Sequence, residues 1–190
     1  MAATREQLGA TAGRPHPLLF GTILFLASEL MLFGGLFAAY FTLRAMAAAW
    51  PPPGIRLEAL EPALATAVLV SSSLTIQAGI RALLRGDAVR FRRSVALTLL
   101  LGTAFLGSQV RGWLTDGFGI ASGAYGTLFY AMTGLHGLHV LAGLVLMLVL
   151  LGRWSLAPPP ASEAAEAVGY YWHFVDVVWL GLFTTLYVIR

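Results

Sequence analysis

The sequence predicts an all-α, polytopic membrane protein with five transmembrane helices in one bundle. Three observations carry that prediction. Of 190 residues, 58% are hydrophobic and only 11% charged, where an ordinary soluble domain carries about 25% charged residues. Apolar runs of roughly 20 residues, long enough to cross about 30 Å of hydrocarbon, recur five times. These runs lack the polar stripe of a soluble amphipathic helix: Leu141 to Leu151 reads LAGLVLMLVLL. Backbone groups in hydrocarbon must bond to one another within the segment, so each run is read as a helix.

The first span runs from about Leu18 to Ala45. It is longer than the apolar stretch of about 7 to 15 residues in a signal peptide and is interrupted early by Glu29, so it is expected to be retained. Residues 1–17 before it are expected to form a cytoplasmic N-terminal segment. Trp50-Pro51-Pro52-Pro53-Gly54 supplies a stiff turn before the second span, about Pro62 to Leu84. The arginine segment Arg85 to Arg93 leads into the third, about Val95 to Leu114. A Gly-rich stretch, Asp116 to Gly126, precedes the fourth, about Tyr125 to Leu151, and Pro158-Pro159-Pro160 precedes the fifth, about Val168 to Ile189. All connections are short, so residues 18–190 are expected to be one domain.

Composition excludes whole classes of chemistry. With no cysteine there is no disulfide framework, thiolate metal site or cysteine nucleophile. No lysine occurs, so all 12 cationic residues are arginines. Their placement beside apolar spans reads as membrane-flanking charge and not as a nucleic-acid footprint. Arg5, Arg14, Arg81, Arg85, Arg90, Arg92, Arg93 and Arg153 flank one side, against Arg44, Arg56, Arg111 and Arg190 on the other. The positive-inside rule then places the N-terminus in the cytoplasm and the C-terminus outside. Arg81, Arg85, Arg90, Arg92 and Arg93 are also candidate contacts for lipid headgroups.

Ionisable side chains at membrane depth are costly and usually have a partner or a task. Glu29 lies near the middle of the first span, and its partner is expected on another helix. A structural hydrogen bond is one reading, and proton movement or lipid and oxygen access is the other. Thr133, His136 and His139 follow at steps of three along the fourth span. They are read either as interhelical hydrogen-bonding groups or as ligands of a metal or haem. In the fifth span His173 and Asp176, three residues apart, are expected to pair directly, beside Trp172. Gly34, Gly35, Ala38 and Ala39 make a small-residue face expected to let a neighbouring helix approach. No nucleotide cradle or catalytic triad is present.

Three longer motifs narrow the family. Leu24-Phe-Leu-Ala-Ser-Glu-Leu-Met-Leu-Phe-Gly-Gly-Leu-Phe-Ala-Ala-Tyr-Phe41, Tyr125-Gly-Thr-Leu-Phe-Tyr-Ala-Met-Thr-Gly-Leu-His-Gly-Leu-His-Val140 and Tyr171-Trp-His-Phe-Val-Asp-Val-Val-Trp-Leu180 closely resemble subunit III of haem-copper cytochrome c oxidases. Leu69-Val-Ser-Ser-Ser-Leu-Thr75, with Ser72, and Gly102-Thr-Ala-Phe-Leu-Gly-Ser-Gln109 resemble further segments of that family. The likeness covers all five spans and matches the family's five-helix form. It implies an accessory, cofactor-free subunit that catalyses nothing alone and assembles with oxidase subunits I and II, the haems and copper residing in partner subunits. It further implies a multi-pass protein of the bacterial inner membrane, a component of aerobic respiratory electron transport. A lipid-holding groove is expected between the first two helices and the other three, with support of oxygen access and proton uptake and membership of a larger respiratory assembly as further expectations.

On this likeness Glu29, His136, His139, Trp172, His173 and Asp176 fall on family motif positions, with Ser72, Gln109 and Thr133 as weaker candidates. Gly112 and Ser122 stand where the family commonly has acidic residues, and those carboxylates do not carry over. A subunit III-like component of a quinol oxidase or nitric oxide reductase is the alternative within the family. A stand-alone haem-binding membrane protein is the alternative from another class.

Overall fold

The computed structural model describes residues 17–55, 57–156 and 162–189. The expected segment over residues 1–17, apart from Pro17, and the Pro158–Pro160 turn lie outside the described residues. Every described element is helical: α1 (Pro17–Met46), α2 (Leu60–Leu84), α3 (Ala88–Thr115), α4 (Gly123–Leu156) and α5 (Ser162–Phe183), which continues into a π-helical turn at Thr184–Val188. The first four are long and apolar enough to cross a membrane by length and composition. Helix α5 is the shortest, at 22 residues, and the one with the largest share of its positions buried. It packs against α1, α2 and α4. A helix at the centre of a bundle can carry His173 and Asp176 because its neighbours, and not lipid, surround them.

One connection differs from its expected form. The arginine segment is not a loop: α3 already begins at Ala88, so Arg90, Arg92 and Arg93 are helical. Two local devices explain the early start. Gly86, at φ 80°, ends α2, with its N–H bonded to Leu83 O and the Asp87 N–H bonded to Ala82 O, the pairing of a Schellman cap. The Asp87 carboxylate then accepts from the Arg90 N–H at 2.9 Å and caps α3. The whole turn is three residues.

Contacts between helices run in a consistent sense. Thr75 meets Thr98, and Gly79 faces Phe91 and Ser94, so α2 and α3 are antiparallel. His136 stacks on Trp179 while Gly143 faces Trp172, so α4 and α5 are antiparallel. Phe25 meets Tyr171 and Tyr40 reaches Thr185, so α1 and α5 are parallel. Successive helices therefore alternate, and the start of α1 lies at the opposite end of the bundle from the end of α5. Helices α1 and α2 do not form a packed pair: α1 lies on α5 and α4, and α2 lies on α3 and α5. The groove expected between the first two helices and the other three is consequently not a feature of this fold.

Helix α1 is held lightly. Only Phe33 and Tyr40 along its length are buried. Its end is tied to the π-helical turn, where Tyr40 Oη donates to Thr185 O at 3.4 Å and Arg44 donates to Ile189 O at 2.7 Å. The small-residue face departs from expectation. A Cβ built on Gly34 or Gly35 meets nothing within 4 Å, and Ala38 and Ala39 are exposed. The contacts of α1 are instead made by Phe33, Phe37 and Tyr40, larger side chains on another face of the helix.

Trp172 shows the opposite situation. Its indole is fully buried, and Gly102 of α3 and Gly143 of α4 flank it. A Cβ at either glycine would lie 2.7 Å from a ring carbon, Cη2 for Gly102 and Cε3 for Gly143. Its Nε1 donates to Ser72 Oγ of α2 at 2.8 Å. We predict that Gly143→Val lowers stability by about 1 to 3 kcal/mol through overpacking, whereas Gly34→Ala costs nothing within about 0.5 kcal/mol. Thermal unfolding of the detergent-purified protein measures both.

Candidate functional site

Polar side chains inside the bundle gather into two clusters, one on each side of α5. The first joins α1 to α4. Glu29 Oε2 lies 2.9 Å from His139 Nε2, and the two side chains are 17% and 13% exposed. His139 Nδ1 lies 2.8 Å from Leu135 O, one turn back on its own helix. A carbonyl only accepts, so Nδ1 carries a hydrogen and donates. Nε2 and a Glu29 oxygen therefore need one proton between them to bond, and the pair is electrically neutral overall whichever atom holds it. That neutrality is what allows a carboxyl group at this depth. The ring of Phe33 closes over His139 edge-on at 5.2 Å, and Tyr171 Oη of α5 donates to His139 O at 3.0 Å.

The second cluster joins α2 to α5. His173 Nε2 is 3.1 Å from Gln77 Oε1, and His173 Nδ1 is 2.8 Å from Ser73 Oγ, which also bonds Asp176 Oδ2. The expected direct pairing of His173 with Asp176 is not made. Three positions apart on α5, both side chains reach toward α2, and the Ser73 hydroxyl stands between them and bonds to each. The result is a chain of four groups on two helices, Gln77, His173, Ser73 and Asp176.

Thr133, His136 and His139 do not act together. Each three-residue step turns a helix by about 300°, or about 60° short of a full turn, so the three side chains fan out to different neighbours. Thr133 accepts from Trp113 Nε1 at 3.2 Å and donates to Phe129 O at 2.7 Å. His136 is fully buried against Trp179, 5.1 Å between ring centroids, and Phe105, at 5.9 Å. His139 faces α1. Among the described residues no three His, Asp or Glu side chains gather as a metal would require. The donor set does not fit a haem or copper either: both ring nitrogens of His139 and of His173 are taken by protein atoms, and His136 is walled in by aromatic rings.

The two ends of the bundle differ in charge. At the end where α2 turns into α3, Arg81, Arg85 and Arg90 surround a cavity of about 210 Å³ together with Asp87. Arg92 and Arg93 look instead onto a separate groove against α4. The candidate headgroup contacts thus fall into two sets. At the opposite end a cavity of about 360 Å³ is lined by Glu58, Glu61, Asp116, Arg111 and the buried Gln109. Gly112 opens onto it, and its missing side chain leaves the space unfilled. Ser122 accepts from the Gly119 N–H at 3.0 Å and shapes the turn into α4, a local role with no reach into the interior. Burial, reinforced by the negative charge of Glu61, raises the carboxyl of Asp116 above its ordinary value of 3.8.

Comparison with known proteins decides what such a bundle is. The family described as Cytochrome c oxidase subunit III matches residues 9–189. This chain belongs to the cytochrome c oxidase subunit III family. It is 45% identical over 183 residues to a probable cytochrome c oxidase subunit 3 of Mycobacterium tuberculosis (strain ATCC 25618 / H37Rv), covering 93% of this chain and 90% of that relative. The corresponding values are 46% over 183 residues, with the same coverage, for Nocardia farcinica. For the cytochrome c oxidase subunit 3 of Thermostichus vulcanus they are 42% over 181 residues, 92% of this chain and 89% of the relative. Inspection of the sequence did not single out every residue that bonds these helices together. Ser73, Gln77, Tyr171 and Thr66, which accepts from Trp179 Nε1 at 2.8 Å, are ordinary residue types singly. Ser73 and Tyr171 lie inside quoted motifs, whereas Thr66 and Gln77 carry no signal beyond being polar side chains in an apolar span.

Two predictions follow from these geometries. Glu29→Gln keeps a donor for His139 Nε2 and should leave thermal stability near that of the parent. Glu29→Ala leaves the nitrogen without a partner and should cost about 1 to 3 kcal/mol, read as a lower unfolding midpoint. For Asp116 the sign is reversed from that of a paired carboxylate: its folded pKa lies above the unfolded one, so its charged form is disfavoured in the fold. Its contribution is present at acid pH and is lost as pH rises through the folded pKa. Asp116→Asn should therefore raise the unfolding midpoint at about pH 7 and have no effect at about pH 3.

Proposed function

We propose that this chain is the accessory subunit of a proton-pumping aerobic terminal oxidase, binding no redox cofactor itself and stabilising the haem-copper catalytic subunit beside it. The carrying observation is the way its interior polar groups are used: Glu29, His139, Ser73, His173 and Asp176 are occupied in holding α1 to α4 and α2 to α5. Groups bonded between helices of one chain stabilise that chain.

In this reading all five helices span the bacterial plasma membrane, with α5 shielded by its neighbours. Among the described residues, Arg81, Arg85, Arg90, Arg92, Arg93 and Arg153 stand at the end where α1 begins, against Arg44 and Arg111 at the other. That bias supports a cytoplasmic start of α1 and an external end of α5. The names of the relatives, all cytochrome c oxidase subunits, favour cytochrome c over quinol as the donor of the assembled enzyme. Subunits I and II are the proposed partners, with membrane phospholipid held along the arginine-rich end. The exposed apolar face of α1, including Leu30 and Met31, is free to meet lipid or a partner subunit. Glu29 is assigned a structural role, because its partner His139 already accounts for it and, among the described residues, no side-chain-to-side-chain hydrogen bond continues from the pair.

Purification in mild detergent tests the proposal. The chain should bring down haem-copper subunits, and the isolated chain should show no Soret band and consume no oxygen with added cytochrome c. Oxygen reduction by the single chain would overturn the accessory assignment. Glu29→Gln should sustain turnover and proton uptake of the assembled oxidase like the parent, and normal assembly with altered proton uptake would overturn the structural role given to Glu29.

A further inference from the structure

The cavity of about 360 Å³ at the end of the bundle opposite the arginine-rich turn is short of positive charge. Glu58 and Glu61, beside the start of α2, and Asp116, at the end of α3, all line it, and Arg111 is the one cation among its described lining residues. Arg111 bonds Glu61 Oε2 at 3.4 Å, with its own side chain 71% exposed. The carboxylates of Glu58 and Asp116 form no hydrogen bond or ion pair among the described residues. The last turn of α3 faces the same space and carries no basic residue, although a helix C-terminus favours a cation. Gln109, only 7% exposed, lines the cavity as well. Its side-chain amide makes no hydrogen bond among the described residues, and a buried amide carbonyl without a donor is costly. A Cβ on Gly112 would meet nothing within 4 Å, so no side chain of α3 closes the space.

We infer that this cavity seats a guanidinium or primary ammonium group, held by the Gln109 side-chain carbonyl and the carboxylates of Glu58 and Asp116. Among the described residues no three carboxylates or imidazoles gather closely enough for a metal ion, so the occupant must span separated acceptors with several N–H groups of its own. Guanidinium and ammonium groups donate and never accept, which suits a wall of unpartnered acceptors. The volume is far above the roughly 30 Å³ share of a single water and admits a group of several heavy atoms. Burial first, and then the charge of Glu61, disfavours the Asp116 carboxylate; a cation beside it offsets the second cause. The same group can arrive on a free small molecule or on an arginine or lysine of a partner chain. The accessory role proposed above neither requires nor supplies this seat.

The test titrates the full chain, purified in detergent, with N-acetyl-L-arginine methylamide and with its neutral isostere N-acetyl-L-citrulline methylamide, read by calorimetry. The arginine probe should bind with a Kd of about 1 mM and the citrulline probe roughly 10-fold more weakly. Gln109→Leu should weaken the arginine probe about 10-fold and the Glu58→Gln/Asp116→Asn double variant about 30-fold. Gly112→Leu should abolish binding by filling the space, while Arg92→Gln, at the other end of the bundle, should leave it unchanged; unfolding midpoints show that each variant is folded. Repeating the titration on the intact oxidase complex separates the two sources. Binding there as well identifies a free small cation as the occupant. Binding to the isolated chain alone identifies a side chain of a partner, and Gly112→Leu should then reduce copurification of partner subunits. Equal binding of the arginine and citrulline probes, or binding indifferent to the cavity variants, would overturn the inference. So would displacement of the arginine probe by an equal concentration of calcium chloride, which would make the cavity a metal site. Copurification of haem-copper subunits is read separately: its failure would sink the oxidase assignment, and the titration of the isolated chain would still decide the seat.

Discussion

Four helices can come together in this protein only as closely as the indole of Trp172 allows. Lipid tails are as apolar as leucine, so little drives membrane helices together except close packing and hydrogen bonds. Trp172 supplies both. Its ring fills the space left by Gly102 and Gly143, and its single N–H reaches Ser72. Through one side chain, α5 is thereby fixed against α3, α4 and α2. The hydrogen bonds of Tyr171 to His139 O, His173 to Gln77 and Ser73, and Trp179 to Thr66 then fall along the same helix, above and below that point.

The same constraint explains why polar residues concentrate where they do. A histidine or carboxyl group facing lipid would cost several kcal/mol, whereas His173 and Asp176 on α5 find partners on α2, and His136 of α4 sits between the rings of Phe105 and Trp179 without a hydrogen bond at either ring nitrogen. The Glu29–His139 pair is the exception in position, because α1 is the least embedded helix. It is tolerated through neutrality: the hydrogen on His139 Nδ1 is committed to Leu135 O, and one proton serves the remaining contact. Helix α1 is therefore attached by one neutral polar pair, a few aromatic contacts and the tie from Tyr40 and Arg44 to the final turn. Such an attachment leaves most of its apolar surface for other molecules.

The arginine-rich end follows a different logic, set by turn chemistry. Because Gly86 and Asp87 reverse the chain within three residues, Arg90, Arg92 and Arg93 are carried on a rigid helix and not on a loop. Arg90 lines the cavity beside Asp87, and Arg92 and Arg93 line the groove against α4. One charge run becomes two sites of different shape, a cavity shared with a carboxylate and an open trough against α4.

The amino-acid sequence by itself determined the number of helices, their approximate ends, the asymmetry of arginine and the need of Glu29 for a partner on another helix. These depend on local quantities: apolar length, turn residues and the cost of charge in hydrocarbon, all readable one segment at a time. Three long motifs also made the subunit III family legible before any geometry. Only the tertiary structure decided that His139 is the partner of Glu29, that Ser73 stands between His173 and Asp176, that α1 and α2 are not neighbours, and that the face of Gly34 and Gly35 is left open while Gly102 and Gly143 are filled. A glycine reads the same in both places. Whether a neighbour uses the space depends on how helices distant in sequence are rotated and docked, and here that docking is set by the bulk and the one hydrogen bond of an indole from a fourth helix.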